Sequence, residues 1–95
     1  MDQDLPPVRI PITGELDLHA FRPAEVASLI EEYLCECQQR SLVEVRIIHG
    51  KGTGALRETV QALLRRSPRV QSFRQGDEST GGWGATLVRL KLPPG

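Results

Sequence analysis

Apolar and polar side chains alternate over residues 15–19, with Leu16 and Leu18 on one side and Asp17 and His19 on the other. That two-residue period predicts a half-buried strand. The period then lengthens. Val26, Leu29, Ile30, Tyr33, Leu34 and Cys37 step by three and four residues, which predicts an amphipathic helix from Pro23, a residue suited to a first helical turn, to about Arg40. Residues 43–49 return to alternation, with Val45, Ile47 and His49 on one face and Glu44, Arg46 and Ile48 on the other. A glycine-rich loop follows. Leu56, Val60, Leu63 and Leu64 then mark a second helix that Pro68 stops. Residues 70–75 read as a third strand and 76–84 as a loop. A last strand sets Thr86, Val88, Leu90 and Leu92 against Leu87, Arg89 and Lys91.

The order strand, helix, strand, helix, strand, strand predicts a two-layer α/β sandwich (βαβαββ). Its first two crossovers carry helices, and right-handed crossovers place both on one face of a mixed four-stranded sheet. The other face carries Asp17, His19, Glu44 and Arg46 toward solvent. Pro6, Pro7, Pro11 and Gly14 punctuate residues 1–14 as an extended arm in which Val8, Arg9 and Ile10 can pair as an edge strand. The domain proper is expected over 15–92, with 93–95 as a tail.

Composition narrows the class. A chain of 95 residues holds one core and excludes a two-domain enzyme. Acidic Met1-Asp2-Gln3-Asp4 does not resemble a secretory signal and no apolar run reaches membrane length, so a cytoplasmic location and no membrane partner are expected. Cys35 and Cys37 diverge on a helix and read as ordinary thiols. The 12 bases and 12 acids cancel in total but not along the chain. Residues 1–45 hold nine acids and three bases, a net −6, and the rest holds nine bases and three acids, a net +6. Such halves point toward nucleic acid, or form only a mixed solvated surface. Glu31, Glu32 and Glu36 on the first helix read as solvated.

Parallel strands in a strand-helix-strand unit end at the same sheet edge, where α/β folds bind ligands. His19 and His49, the two histidines of the chain, terminate the first two strands. Either alone fits a strand-end cap on a backbone carbonyl. Together with Asp17, two residues before His19 and able to orient an imidazole, they point to acid–base chemistry. Gly50, Lys51, Gly52, Thr53 and Gly54 precede the second helix, so backbone N–H groups and the Lys51 charge can gather an anion there. The spacing is not that of a P-loop, and a tight turn is the alternative use of the glycines. Trp83, among Gly81, Gly82 and Gly84, either stacks on an unpaired base or covers the core.

Leu16-Asp17-Leu18-His19, Ile47-Ile48-His49-Gly50-Lys51-Gly52-Thr53-Gly54, Leu56-Arg57 and Gly81-Gly82-Trp83-Gly84-Ala85-Thr86 closely resemble the Smr (small MutS-related) domain over about residues 15–91. The resemblance implies a stand-alone member with a fold similar to the C-terminal domain of translation initiation factor three. It further implies nucleic-acid binding and, as in several members, endonuclease activity that nicks DNA or cleaves RNA, in repair and recombination or in RNA and ribosome quality control. Carried over, Asp17, His19 and His49 are catalytic, and Gly50, Lys51, Gly52, Thr53, Gly54, Arg57 and Trp83 bind nucleic acid. Ala20 stands where the family usually has glycine. In the expected mechanism His19 or His49 takes a proton from water or a ribose 2′-hydroxyl, Asp17 orients the ring, and Lys51 with the loop amides stabilises the phosphorane. No cofactor is required. Mg²⁺ on Asp17 is the alternative, with one carboxylate giving at most weak binding. The other functional readings are a non-catalytic module for branched DNA or structured RNA, and a protein-interaction domain using the open sheet face. A monomer is expected, its protein partner unspecified.

Overall fold

The computed structural model describes residues 12–19, 21–50, 54–76 and 84–92. Residues 1–11 of the arm expected over 1–14, with Ala20, Lys51, Gly52, Thr53, Gly81, Gly82, Trp83 and the tail, lie outside the described residues. The elements are β1 (Glu15–Asp17), α1 (Pro23–Gln39), β2 (Glu44–Ile48), α2 (Ala55–Arg66), β3 (Val70–Gln75) and β4 (Ala85–Leu90). They form one four-stranded sheet in the order β1-β2-β4-β3. β1 and β2 are parallel, and β4 runs antiparallel to both its neighbours, β2 and β3. This is the mixed sheet the element order predicts.

One apolar cluster joins Leu16 and Leu18, Val45 and Ile47 of β2, and Val88 and Leu90 of β4 to Val26, Ile30, Tyr33, Leu34 and Cys37 of α1 and Val60 and Leu64 of α2. Alternate strand positions thus point at both helices from one side. Each such side chain contributes about 1.5–3 kcal/mol on burial, so the cluster holds the layers together and leaves the other face wet. α1 starts at Pro23, and the Glu25 carboxylate accepts the Arg22 N–H at 3.0 Å. It stops in a Schellman turn, where Leu42 N–H reaches Cys37 O at 2.8 Å and Ser41 N–H reaches Gln38 O at 3.0 Å, with Ser41 at φ 61.

Three strands end earlier than their alternation predicts, β2 by one residue at Ile48 and β1 and β4 by two. Asp17 Oδ1 accepts the His19 N–H at 2.9 Å, turning the chain out of β1 two residues before the expected end. Leu18 N–H still bonds Ile48 O at 2.9 Å, so the parallel pairing outlasts the strand by one bond. β4 ends at Leu90 because the ladder runs out. Its last bonds go from Leu90 to Val43 O and from Lys91 to Arg69 O, leaving Leu92 74% exposed.

The charge asymmetry along the chain partly cancels in space. Arg46 pairs with Glu15, Arg89 with Glu44 at 2.7 Å, and Arg69 with Glu31 at 3.0 Å, each joining the basic half to the acidic one. The first two pairs sit on the open sheet face, beside a shallow groove that Gly14, Phe73, Arg74 and Leu87 help to line. Among the described residues, none of those expected to act on nucleic acid lines that groove.

Candidate functional site

The parallel pairing of β1 and β2 brings both histidines to one edge of the sheet, in opposite environments. His19 sits in the turn that leaves β1, its side chain 71% exposed beside the 55% exposed Asp17. Its Nδ1 lies 2.8 Å from Asp17 Oδ1. A carboxylate only accepts, so Nδ1 carries the hydrogen and the neutral ring presents Nε2 as a bare acceptor. The His19 backbone N–H holds the Asp17 carboxyl below the usual carboxylate range; slight burial opposes this and the imidazole reinforces it.

His49 follows β2 on its core-facing side and is 7% exposed. Its Nδ1 lies 3.0 Å from Gly50 O and its Nε2 2.8 Å from Thr86 Oγ1, so both ring nitrogens are engaged inside the protein. Packing thus gives the two candidate bases different surroundings. His49 faces Thr86 and a carbonyl, while His19 faces water.

Gly50 links the two. Its φ of +83 favours glycine, and a Cβ built there would stand 3.5 Å from His19 Nε2, so the exposed imidazole lies against the Gly50 backbone. The N–H groups of His49 and Gly50 both donate to Gly84 O, at 2.8 and 2.9 Å. At the far side of the loop Gly54, at φ +87, caps α2 and its carbonyl accepts the Glu58 N–H at 2.9 Å. A Cβ on Gly54 would stand 3.1 Å from Arg57 Nη2, so the guanidinium folds back over the helix start. Asp17, His19, Gly50 and His49 are therefore one cluster, and Gly54 with Arg57 a second, at opposite ends of the loop. Among the described residues no three His, Cys, Asp or Glu side chains converge as a metal-ligand group.

Thr86, Gln61 and Gly84 were not singled out for a site role by the sequence pattern. Thr86 carried a signal nonetheless. A hydroxyl on the same strand face as Val88 and Leu90 needs a buried partner, and His49 on the face of Val45 and Ile47 is the complementary oddity.

The Smr domain family model matches residues 16–91, so it spans the sheet, both helices and the histidine edge. The chain belongs to the Smr domain family. Endonuclease MutS2 of Bacillus thuringiensis is 48% identical over 80 residues, covering 84% of this chain and 10% of that protein; the Bacillus cereus enzymes match equally. The chain thus spans about a tenth of the length of these curated relatives. Among solved Smr structures, the Smr domain of Thermus thermophilus MutS2 superposes with a TM-score of 0.77 at 39% identity, over 83% of this chain and 99% of that one. YdaL, a stand-alone small MutS-related protein from Escherichia coli, gives 0.77 at 26% identity, over 85% of this chain and 66% of that one. The described part of the chain has the Smr fold, and no helix in it is long and apolar enough to cross a membrane.

Proposed function

We propose that this Smr domain binds nucleic acid and cleaves its phosphodiester backbone, with His19 as general base and Asp17 as the group that orients it. The observation that carries this reading is the Asp17–His19 pair, which fixes the ring tautomer at 2.8 Å and leaves Nε2 exposed over a glycine. A base needs a free nitrogen within reach of the attacking hydroxyl. Nε2 of His19 takes the proton from water or from a ribose 2′-hydroxyl, the oxygen attacks phosphorus, the opposite P–O bond of the phosphodiester breaks, and the leaving oxygen takes a proton from solvent. Lys51 and the amides of Gly52, Thr53 and Gly54 are assigned to the charge that develops on the phosphoryl oxygens, and Arg57 and the helix start to the flanking phosphate, while the Gly50 N–H stays on Gly84 O. Trp83 is assigned to base stacking. His49 takes no proton in this scheme. The name of the MutS2 relatives as endonucleases supports the same reaction class.

Supercoiled plasmid and structured RNA, each incubated with Mg²⁺ or with chelator, test this reading. Cleavage that persists in chelator and falls in both Asp17→Asn and His19→Ala supports it. Cleavage that chelation abolishes and Mg²⁺ restores replaces the base with a hydrated metal on Asp17. Salt-sensitive binding without cleavage reduces the domain to a binding module, since phosphate contacts alone give that salt dependence.

A further inference from the structure

Thr86 and His49 are the two buried polar side chains among the described residues, Thr86 fully so. They lie on facing strand ends, with Thr86 Oγ1 2.8 Å from His49 Nε2. His49 Nδ1 is 3.0 Å from Gly50 O, and Gln61 Nε2 of α2 makes a longer contact of 3.4 Å to Thr86 Oγ1. For a neutral His49 ring the carbonyl sets the donor order. A carbonyl accepts, so Nδ1 holds the ring hydrogen, the neutral ring accepts at Nε2, and the Thr86 hydroxyl must donate to it. The hydroxyl lone pair then receives the Gln61 amide. Hydrogen bonds run one way, from Gln61 to Thr86 to His49 to the Gly50 carbonyl, crossing from α2 through β4 to the end of β2.

Stability alone does not call for this chain. Val45, Ile47, Val88 and Leu90 line the same face, and replacing both members of a buried polar pair with apolar groups of like shape is often close to neutral. What the chain does supply is direction. It aims the Gly50 carbonyl, while Gly84 O holds the Gly50 N–H at 2.9 Å, so both backbone polar groups of Gly50, the residue whose built Cβ would stand 3.5 Å from His19 Nε2, are held.

We infer that Thr86 and Gln61 are positioning residues of the cleavage site, acting through His49 to hold the Gly50 peptide in register with the His19 imidazole. The kinetic part rests on the nuclease reading above; the structural part does not.

Thr86→Val removes the hydroxyl at nearly constant shape and Thr86→Ser keeps it. In the full chain, hydrogen exchange at the Gly50 amide and the ring-nitrogen spectrum of His49 read the geometry, and single-turnover cleavage of structured RNA reads the consequence. In Thr86→Val, Gly50 exchange accelerates and the His49 ring loses its single tautomer, while cleavage at saturation falls on the order of 10–100-fold with little change in half-saturating RNA concentration, the size expected of a sub-ångström misplacement. Thr86→Ser restores each readout to within about threefold. Should Thr86→Val fail to fold, Gln61→Leu is read the same way, with smaller changes in the same direction. Wild-type exchange and tautomer in a folded Thr86→Val, or a Thr86→Ser as impaired as Thr86→Val, overturn the proposal. If the wild-type chain cleaves no probe, the nuclease reading fails, and the exchange and ring spectra still decide whether Thr86 positions Gly50.

Discussion

The ends of β1 and β2 carry the same side chain at the same sheet edge and put it to opposite uses. At the end of β1 the ring is held at one nitrogen by Asp17 and offers the other to solvent. At the end of β2 both nitrogens are consumed, by Gly50 O and Thr86. The difference comes from strand face. Val45, Ile47 and His49 share the side that meets the helices, so His49 is carried into the core, whereas His19 leaves a strand that turns early because Asp17 caps it. A histidine at a sheet edge is a candidate base only if packing leaves it a nitrogen.

Substituting each histidine separates the two roles most strongly. His19→Ala is expected to lower the cleavage rate by about 10²–10⁴-fold, the usual worth of a general base, with nucleic-acid affinity little changed. Its thermal and denaturant stability should stay within about 0.5 kcal/mol of wild type because the ring is exposed. His49→Ala should do the reverse to the fold. It leaves a cavity and strips the Thr86 hydroxyl of its acceptor, at a cost of about 2–4 kcal/mol in urea unfolding. Equal stability losses in the two variants would erase the distinction.

Alternation over 15–19 and 43–49 brought both histidines to the right edge of the sheet, although each lies past the strand it was expected to terminate, His19 by two residues and His49 by one. The buried role of His49 was half legible: its position on the face of Val45 and Ile47 foretold burial, but nothing local could name Thr86, 37 residues away, as its partner. That pairing depends on the antiparallel register of β2 and β4, in which Ile47 meets Thr86. Helix α1 was readable almost to the residue because a Pro start and a three-four apolar step act locally. The ends of β1 and β4 were not, since an Asp17 cap and an exhausted ladder override alternation that continues past them. The halves of opposite charge could be counted in the sequence, but not the ion pairs that fold Glu15, Glu31 and Glu44 onto Arg46, Arg69 and Arg89.

Asp17 sharpens the comparison further. Asp17→Asn keeps a polar group beside His19 but removes the charge that favours the Nδ1–H tautomer, so cleavage should fall about 10–100-fold with binding retained. Titration gives a smaller, directional effect. The folded carboxyl lies below its unfolded value of about 3.9, so its contribution to stability is complete above that value and is lost as pH falls through the lower folded one. Carboxyl NMR of Asp17 should therefore show the turn intact as pH passes about 4, where ordinary aspartates protonate. In the core, burial raises the Tyr33 and Cys37 ionisations, which reverses the sign: their contribution is complete in neutral solution and lost as pH rises into the alkaline range. Alkaline unfolding should thus begin without any change at Asp17, and a shared midpoint would show that edge and core do not respond independently.

The most direct measurement is a ring-nitrogen NMR titration of both histidines with a structured RNA oligonucleotide at neutral pH. His19 Nε2 is expected to shift with added oligonucleotide while His49 keeps its Nδ1–H tautomer throughout. A His49 ring that changes tautomer or shifts with the oligonucleotide, beside a His19 that does not respond, would contradict this division of roles.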